Sequence, residues 1–239
     1  MTKKKGMKLA FLVIMILINM IQTSKAYAAA PKIDKSYRVW LYENPIDPGF
    51  GEERENQIMV QNWTKNGKIT KIKNGNPSIA DVRTTSYNSP WLCVKAKAEG
   101  TTKVTFRYAG KKYSTKLIVK KWESPCEEFK IGNVDYADRF DKSDAYCWGN
   151  RKKDIKSKIS IKPKEGWKLV KIESYPGKLQ KQKIKNNSKM KLSIKAGWTE
   201  VYAYFKKKQT KEMIRLKFWY SDSKNWKEGN YFYNQYDFK

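Results

Sequence analysis

Histidine is missing from all 239 residues. Its absence removes every catalytic triad or dyad built on imidazole, and most zinc and iron sites with it. Cysteine is scarce: Cys93, Cys126 and Cys147 are the only three, with no C-x-x-C spacing among them. Neither a zinc ribbon nor a dithiol redox motif is written here. Arginine supplies 7 of the 51 basic residues and lysine the other 44. A surface shaped to read bases or phosphates uses the bidentate guanidinium more freely, so no specific nucleic-acid partner is expected. Long apolar runs are absent after residue 30. The one such run, Leu9–Ile21, follows the basic "MTKKKGMK" and precedes "AYA" (Ala26–Ala28), the small-x-small pattern of a cleaved export signal. As a helix it would rise only about 20 Å against roughly 30 Å of hydrocarbon. Cleavage near residue 30 leaves a secreted or surface-associated protein without a transmembrane span, an uncleaved anchor being the alternative.

What the sequence does hold is positive charge, strand pattern and aromatic rings. The formal net charge is +28. Five lysines belong to the leader, residues 31–121 carry 18 basic and 8 acidic residues (+10), and residues 122–239 carry 28 and 15 (+13). An excess spread over both halves reads mainly as solvated surface. In Lys95–Lys120, Val104, Phe106 and Tyr108 alternate with Lys103, Thr105 and Arg107. "AGKK" turns the chain, and Tyr113, Thr115, Leu117 and Val119 resume one face. That is a half-buried antiparallel hairpin. "GTTKVTF" (Gly100–Phe106) recurs in register as "GWTEVYA" (Gly197–Ala203), again followed by a basic turn and an apolar strand. The repeat predicts an internal duplication. Val104, Phe106, Leu117 and Val119 should lie in one core, and Val201, Ala203, Ile214 and Leu216 in another. Helix signals are almost absent. Pro125 and a burst of acid in "KKWESPCEEF" mark the boundary. The expected plan is a leader (1–30), one domain over 31–121, and a second over 122–239 with an aromatic tail.

"NPSIADVRT" (Asn76–Thr84), then "CVKAKAEGTTKVTF" (Cys93–Phe106), then "KLIVK" (Lys116–Lys120) resembles the bacterial immunoglobulin-like domains of the BIg2 type. These stand in tandem on exported proteins of Gram-positive bacteria. The match covers about residues 74–120; "YENPIDPGFGEEREN" departs from it, and the second copy keeps only the Gly-x-Thr-x-Val hairpin. The resemblance implies seven-stranded sandwiches without a catalytic centre, serving display, spacing or adhesion. The fold class expected is therefore all-β, with two tandem immunoglobulin-like β-sandwiches after a signal peptide.

Four features could carry chemistry. Asp135, Asp138, Asp141 and Asp144, three apart, form an acidic island. It is either a calcium candidate, the one cofactor considered, or a loop offsetting neighbouring lysines, since the ligand spacing of known calcium loops is missing. In an oxidising compartment Cys126 and Cys147 could close a loop of about twenty residues, worth about 3 kcal/mol, leaving Cys93 buried and reduced. In the tail Trp226, Tyr231, Tyr233 and Tyr236 could stack on sugars or cover a sandwich edge. Finally, "KLQKQKIKNNSKMKLSIK" reads as a hairpin about "NNS". Lys181, Lys183, Lys185, Lys189, Lys191 and Lys195 would share one face and attract polyanions, unless lysine is simply the default polar residue of an exposed edge. Ser-x-x-Lys matches at Ser188 and Ser221 carry no weight in a chain with 44 lysines.

Together these features point to a non-enzymatic surface, adhesion or scaffold protein of a low-GC Gram-positive bacterium. It would be held in part by charge on anionic cell-wall polymer or polysaccharide, with a protein partner also open. The alternatives are a carbohydrate- or host-ligand-binding module using the C-terminal aromatics and, further off, a hydrolase built on carboxylates such as Asp138 and Asp141.

Overall fold

The run Gly100–Lys121 folds as its alternation dictates. β6 (Gly100–Tyr108) and β7 (Lys111–Lys121) pair antiparallel from Gly100↔Val119 to Tyr108↔Lys111. Ala109 and Gly110, at φ 48° and 78°, make the two-residue turn that matches strand twist. The computed structural model to which these strands belong describes residues 29–43, 55–64, 67–84, 90–177, 181–195, 197–222 and 228–231. Residues 1–28 of the expected leader, and Trp226, Tyr233 and Tyr236, lie outside the described residues.

Around this hairpin a first sandwich assembles. β1 (Ser36–Leu41) runs parallel to β7, and β3 (Ile69–Asn74) pairs with β6, giving the order β1-β7-β6-β3. β2 (Asn56–Met59), β5 (Trp91–Ala96) and β4 (Ala80–Thr84) form the facing sheet. Third, sixth and seventh strands opposite second, fifth and fourth is the strand partition of an immunoglobulin-like sandwich. Lys32 bridges Gln61 beside β2 before the chain crosses to β7, so the first strand is shared between sheets. Val39, Ile58, Val94, Val104, Phe106, Tyr108, Leu117 and Val119 fill the core between them.

The second sandwich repeats the plan with additions. β8 (Cys126–Ile131), β9 (Val134–Asp135), β11 (Ile155–Pro163) and β14 (Ser188–Leu192) form one sheet, ordered β14-β11-β8-β9. The other holds β10 (Ala145–Trp148), β12 (Trp167–Pro176), β13 (Gln182–Ile184), β15 (Trp198–Lys207), β16 (Met213–Ser221) and β17 (Gly229–Tyr231), ordered β13-β12-β15-β16-β10-β17. β10 runs parallel to β16 as β1 does to β7. One short helix, α1 (Ala137–Lys142), separates β9 from β10 and buries Phe140. Val201, Ala203, Ile214 and Leu216 lie in this core with Phe129, Phe205 and Phe218.

The repeated Gly-x-Thr-x-Val motif has a physical reading at each position. Gly100 and Gly197 sit at φ 145° and 92°, conformations that side chains rarely adopt. A Cβ on Gly100 would also stand 2.6 Å from Ile79 Cδ1. Thr102 and Thr199 are buried and tie down neighbouring loops. The Thr102 hydroxyl donates to Asn74 Oδ1 (2.6 Å) and accepts from the Asn76 amide (2.9 Å); that of Thr199 donates to the Ser193 carbonyl (2.7 Å) and accepts from its amide (2.9 Å). Val104 and Val201 enter the two cores. One residue shapes the turn, one anchors it and one packs.

The two cores meet through the strand ends of the first. Trp40, Tyr42 and Trp122 belong to the second cluster, with Trp40 and Trp122 edge to face at 5.2 Å. The Trp122 indole donates to the Phe140 carbonyl (2.8 Å). Glu212, nearly buried, takes Arg38 at 3.0 Å and Lys120 at 3.6 Å.

Candidate functional site

Each outer sheet face displays what the strand alternation does not bury. On the first sandwich, β6 presents Lys103 and Arg107 outward, and β7 presents Lys112 and Lys116. They stand directly opposed as Lys103↔Lys116 and Arg107↔Lys112. β3 adds Lys73 opposite Thr105, and a bulge between Thr70 and Lys73 places Lys71 beside it at φ 52°. That left-handed backbone costs a lysine roughly 1 kcal/mol. Lys71, Lys73, Thr105, Phe106, Arg107 and Lys112 line a cleft of about 240 Å³. None of Lys71, Lys73, Lys103, Arg107, Lys112 and Lys116 forms an ion pair among the described residues. Opposed like charges in a sheet repel, so this face holds an uncompensated positive potential.

The lysines singled out in residues 181–195 are arranged differently from the expected hairpin. β13 pairs with β12 and β14 with β11, so the two arms belong to opposite sheets and no single six-lysine plate forms. The physical reason is that Met190 and Leu192 enter the core from the four-stranded side, whereas the three-residue β13 extends the edge of the six-stranded sheet. All six lysines are exposed. Lys181 reaches Glu173 at 3.4 Å and Lys191 reaches Asp154 at 2.9 Å. Lys191 leads the interactions that hold the Asp154 carboxyl down at about 2. Lys189 and Lys191 instead join two residues that sequence reasoning passed over, in the opposed pairs Lys158↔Lys189 and Lys156↔Lys191. They make a second, partly neutralised basic patch.

The acidic island is dispersed. Asp135 accepts from the Phe129 and Ala137 amides (3.0 Å each), Asp138 pairs with Arg139 (3.6 Å), Asp141 pairs with Lys164 (2.9 Å), and Asp144 is buried. No group of three or more metal-ligating side chains occurs among the described residues. Asp138 and Asp141 thus face different cations rather than each other. The expected Cys126–Cys147 bond is corrected too: no disulfide joins the two, and all three cysteines are buried. Cys126 packs in the core between the sheets, while on β10 it is Tyr146 that faces this core. Cys147, one residue on, turns to the opposite side, against Ala145 and Tyr231. Strand alternation therefore points the two thiols apart. Burial raises the Cys147 thiol to about 12. Of the aromatic tail, Tyr231 is described, and it is buried in β17 against Trp219 (5.5 Å) rather than offered to a ligand.

A different set of rings stands on the outer face of the six-stranded sheet. β15 sends Trp198, Glu200, Tyr202 and Tyr204 outward, β16 sends Arg215, Lys217, Trp219 and Ser221, and β12 sends Lys171, Glu173 and Tyr175. Glu200 accepts from Lys217 Nζ (2.7 Å), Trp219 Nε1 (2.7 Å) and the Tyr202 hydroxyl (2.6 Å). Lys217 Nζ lies 3.8 Å from the Trp219 ring centroid, a cation–π contact away from bulk water. Burial opposes the charge on Glu200, but Lys217 and the two hydrogen-bond donors hold its carboxyl below the ordinary value. Lys217 is the deeper partner, and burial lowers its ammonium to about 8. The signal in the sequence was the alternation W-x-E-x-Y-x-Y within "WTEVYAYF", whose outward positions are aromatic or acidic rather than basic.

No family model matches the chain, and no curated protein matches it. Among solved structures it is similar to domains 5–6 of the S-layer protein SbsC, at 11% identity over 79% of this chain and 98% of that one, TM-score 0.28. It is similar to the fibronectin(III)-like modules of Clostridium thermocellum CbhA at 12% identity over 80% and 93%, TM-score 0.29. The D00-D0 domain of intimin matches at 10% identity over 72% and 94%, TM-score 0.24. These likenesses are loose; the sandwich assignment rests on the strand order.

Proposed function

We propose that the chain is a non-enzymatic, exported tandem sandwich that binds anionic polymer, such as wall polymer or acidic polysaccharide, through the outer face of its first four-stranded sheet. One observation supports this above all: Lys71, Lys73, Lys103, Arg107, Lys112 and Lys116 crowd one face without an acidic partner among the described residues. Neighbouring cations on a sheet destabilise it unless something neutralises them, and a polyanion does so while releasing its own counterions. The second patch, Lys156, Lys158, Lys189 and Lys191, would add to the grip but carries Asp154 in its midst. Among the described residues no group beside either patch reads a base or a sugar, so binding would be promiscuous among polyanions. The leader expected from residues 1–30 and the two-sandwich plan suit a display or adhesion role outside the cell.

The reading is tested with polyphosphate as the probe, at a series of salt concentrations. Engagement of four to six cations predicts that log K falls linearly with log salt, with a slope between about −3 and −5. Salt-independent binding, or none at low salt, contradicts it.

A further inference from the structure

We infer that Glu212 of the second sandwich is an internal competitor for the polyanion: in the free protein it holds two cations, Arg38 and Lys120, that belong to the binding face of the first. The inference rests on the reading of that face as the polyanion site. Strand alternation puts both cations there. Along β7, Thr115, Leu117 and Val119 are buried, so Lys112, Lys116 and Lys120 project outward together. Along β1, Tyr37 and Val39 enter the core, so Arg38 turns to the same outer side. In register Ser36 stands opposite Lys116, Arg38 opposite Ile118 and Trp40 opposite Lys120. Arg38 therefore lies one outward position beyond Lys116, about 7 Å along the strands, and Lys120 lies two positions beyond it, about 13 Å. The basic face runs on past Lys116 to the joint.

What sets these two cations apart from the other six is Glu212, carried in on the turn between β15 and β16. Its carboxylate meets Arg38 Nη1 at 3.0 Å and Lys120 Nζ at 3.6 Å, the second beyond hydrogen-bond length. The Glu212 side chain is 5% exposed, whereas those of Arg38 and Lys120 keep 34% and 46%. A polymer lying on the face can touch both cations without entering the joint. Nor is Arg38 clamped as Arg83 is. Arg83 grips Glu55 through Nε (3.1 Å) and Nη2 (2.7 Å), whereas the Nε of Arg38 finds no acceptor among the described residues. Glu99, the other acid at this end, is engaged by the Lys121 amide (2.8 Å). Drawing Arg38 and Lys120 away leaves a nearly buried carboxylate without a counter-charge, a cost that the polymer must overcome. Glu212 and the polyanion thus compete for the same two cations. By linkage, the polymer loosens the joint as much as the joint weakens the polymer.

Polyphosphate affinity of the full chain, measured over a salt series for the parent and for Glu212→Gln, tests the competition. The variant should bind about threefold tighter or more, and its slope of log K on log salt should steepen by about 1.5, the share of two further cations. Asp81→Asn removes the same charge from the Lys97 pair on the facing sheet, and should change affinity less than about 1.5-fold. Adding Arg38→Gln and Lys120→Gln to Glu212→Gln should return the affinity to within about twofold of the parent. Glu212→Asp keeps the charge but draws the carboxylate back by one methylene. It should bind with an affinity between those of the parent and Glu212→Gln, and it carries the test if Glu212→Gln unfolds. If the parent binds and neither Glu212 variant binds tighter, this inference alone is overturned, and an equal gain from Asp81→Asn overturns it too. A parent that binds no polyphosphate at low salt overturns the proposed function and this inference together.

Discussion

The β6–β7 hairpin of the first sandwich and the β15–β16 hairpin of the second occupy the same place in two frameworks, yet their outer faces are chemical opposites. Opposed pairs on the first are Lys103↔Lys116 and Arg107↔Lys112. Those on the second are Trp198↔Ser221, Glu200↔Trp219, Tyr202↔Lys217 and Tyr204↔Arg215. On the inner faces the two agree in kind: Val104, Phe106, Leu117 and Val119 pack in the first core, and Val201, Ala203, Leu216 and Phe218 in the second. Inner positions are held to one chemistry by burial, while outer positions are free to diverge. The first face accepts repulsion and keeps its charges available. The second compensates its charges internally, through Lys217–Glu200 and through Lys171–Glu173 at 2.7 Å, and buries most of its rings among them, Trp198 staying exposed. The two sandwiches therefore differ in chemistry at the positions that do least for the fold.

Core truncation should break the comparison most severely. Phe106→Ala and Phe218→Ala each remove a fully buried ring and should cost about 3–5 kcal/mol. In denaturant each should lower mainly its own sandwich, whereas Trp122→Ala, at the shared joint, should lower both. If Trp122→Ala moves only one transition, the cores are not coupled.

Removing the shared acid should be milder. Glu212→Ala strips Arg38 and Lys120 of a nearly buried partner and should cost about 1–3 kcal/mol, discounted because both cations reach water. The measurement is thermal unfolding, together with the interdomain angle from solution scattering, which should broaden in the variant.

Lys217 sharpens the contrast through pH. Its folded ammonium titrates at about 8, against 10.5 ordinarily. Between those values the unfolded chain binds a proton that the folded chain has shed, so stability should rise as pH climbs through the window. Below about pH 8 both states hold the proton and the burial penalty is complete. Denaturant titrations from pH 7.5 to 10 should show that rise in the parent, and Lys217→Met should flatten it. The first sandwich has no buried lysine among its described residues, so its transition should show no such rise.

The smallest effect concerns Lys71. Replacing it by glycine relieves the left-handed backbone at φ 52° and should stabilise the first sandwich by about 1 kcal/mol or less. Polyphosphate binding should weaken at the same time, because one cation leaves the cleft. A variant that is both less stable and equally tight would separate the bulge from the site.

Much of the framework was legible in the sequence. Period-two alternation named the β6–β7 hairpin and the four apolar residues assigned to each core, because burial on one face leaves little choice of register. The site was legible in kind but not in place. Lysines 181–195 read as one hairpin because "NNS" looks like a turn. Nothing local reveals that β13 and β14 separate to different sheets, since that depends on partners β12 and β11, which lie before them in the chain. The opposed pairs of β6 and β7 could have been found once the turn was placed at Ala109–Gly110, by counting outward from it. Cys126 and Cys147 were paired on compartment and loop length alone, and loop length says nothing about which way a strand side chain points.

The most direct test reverses charge on matched faces. Lys103, Arg107, Lys112 and Lys116 are changed to Glu in one variant; Lys156, Lys158, Lys189 and Lys191 are changed to Glu in another, and polyphosphate affinity is measured for both at low salt. Both variants shift net charge by the same amount. The account predicts that the first loses at least tenfold more affinity than the second, with both folded by far-UV spectrum. Equal losses would mean that polyanions respond to net charge alone, and the basic face of the first sandwich would be no site at all.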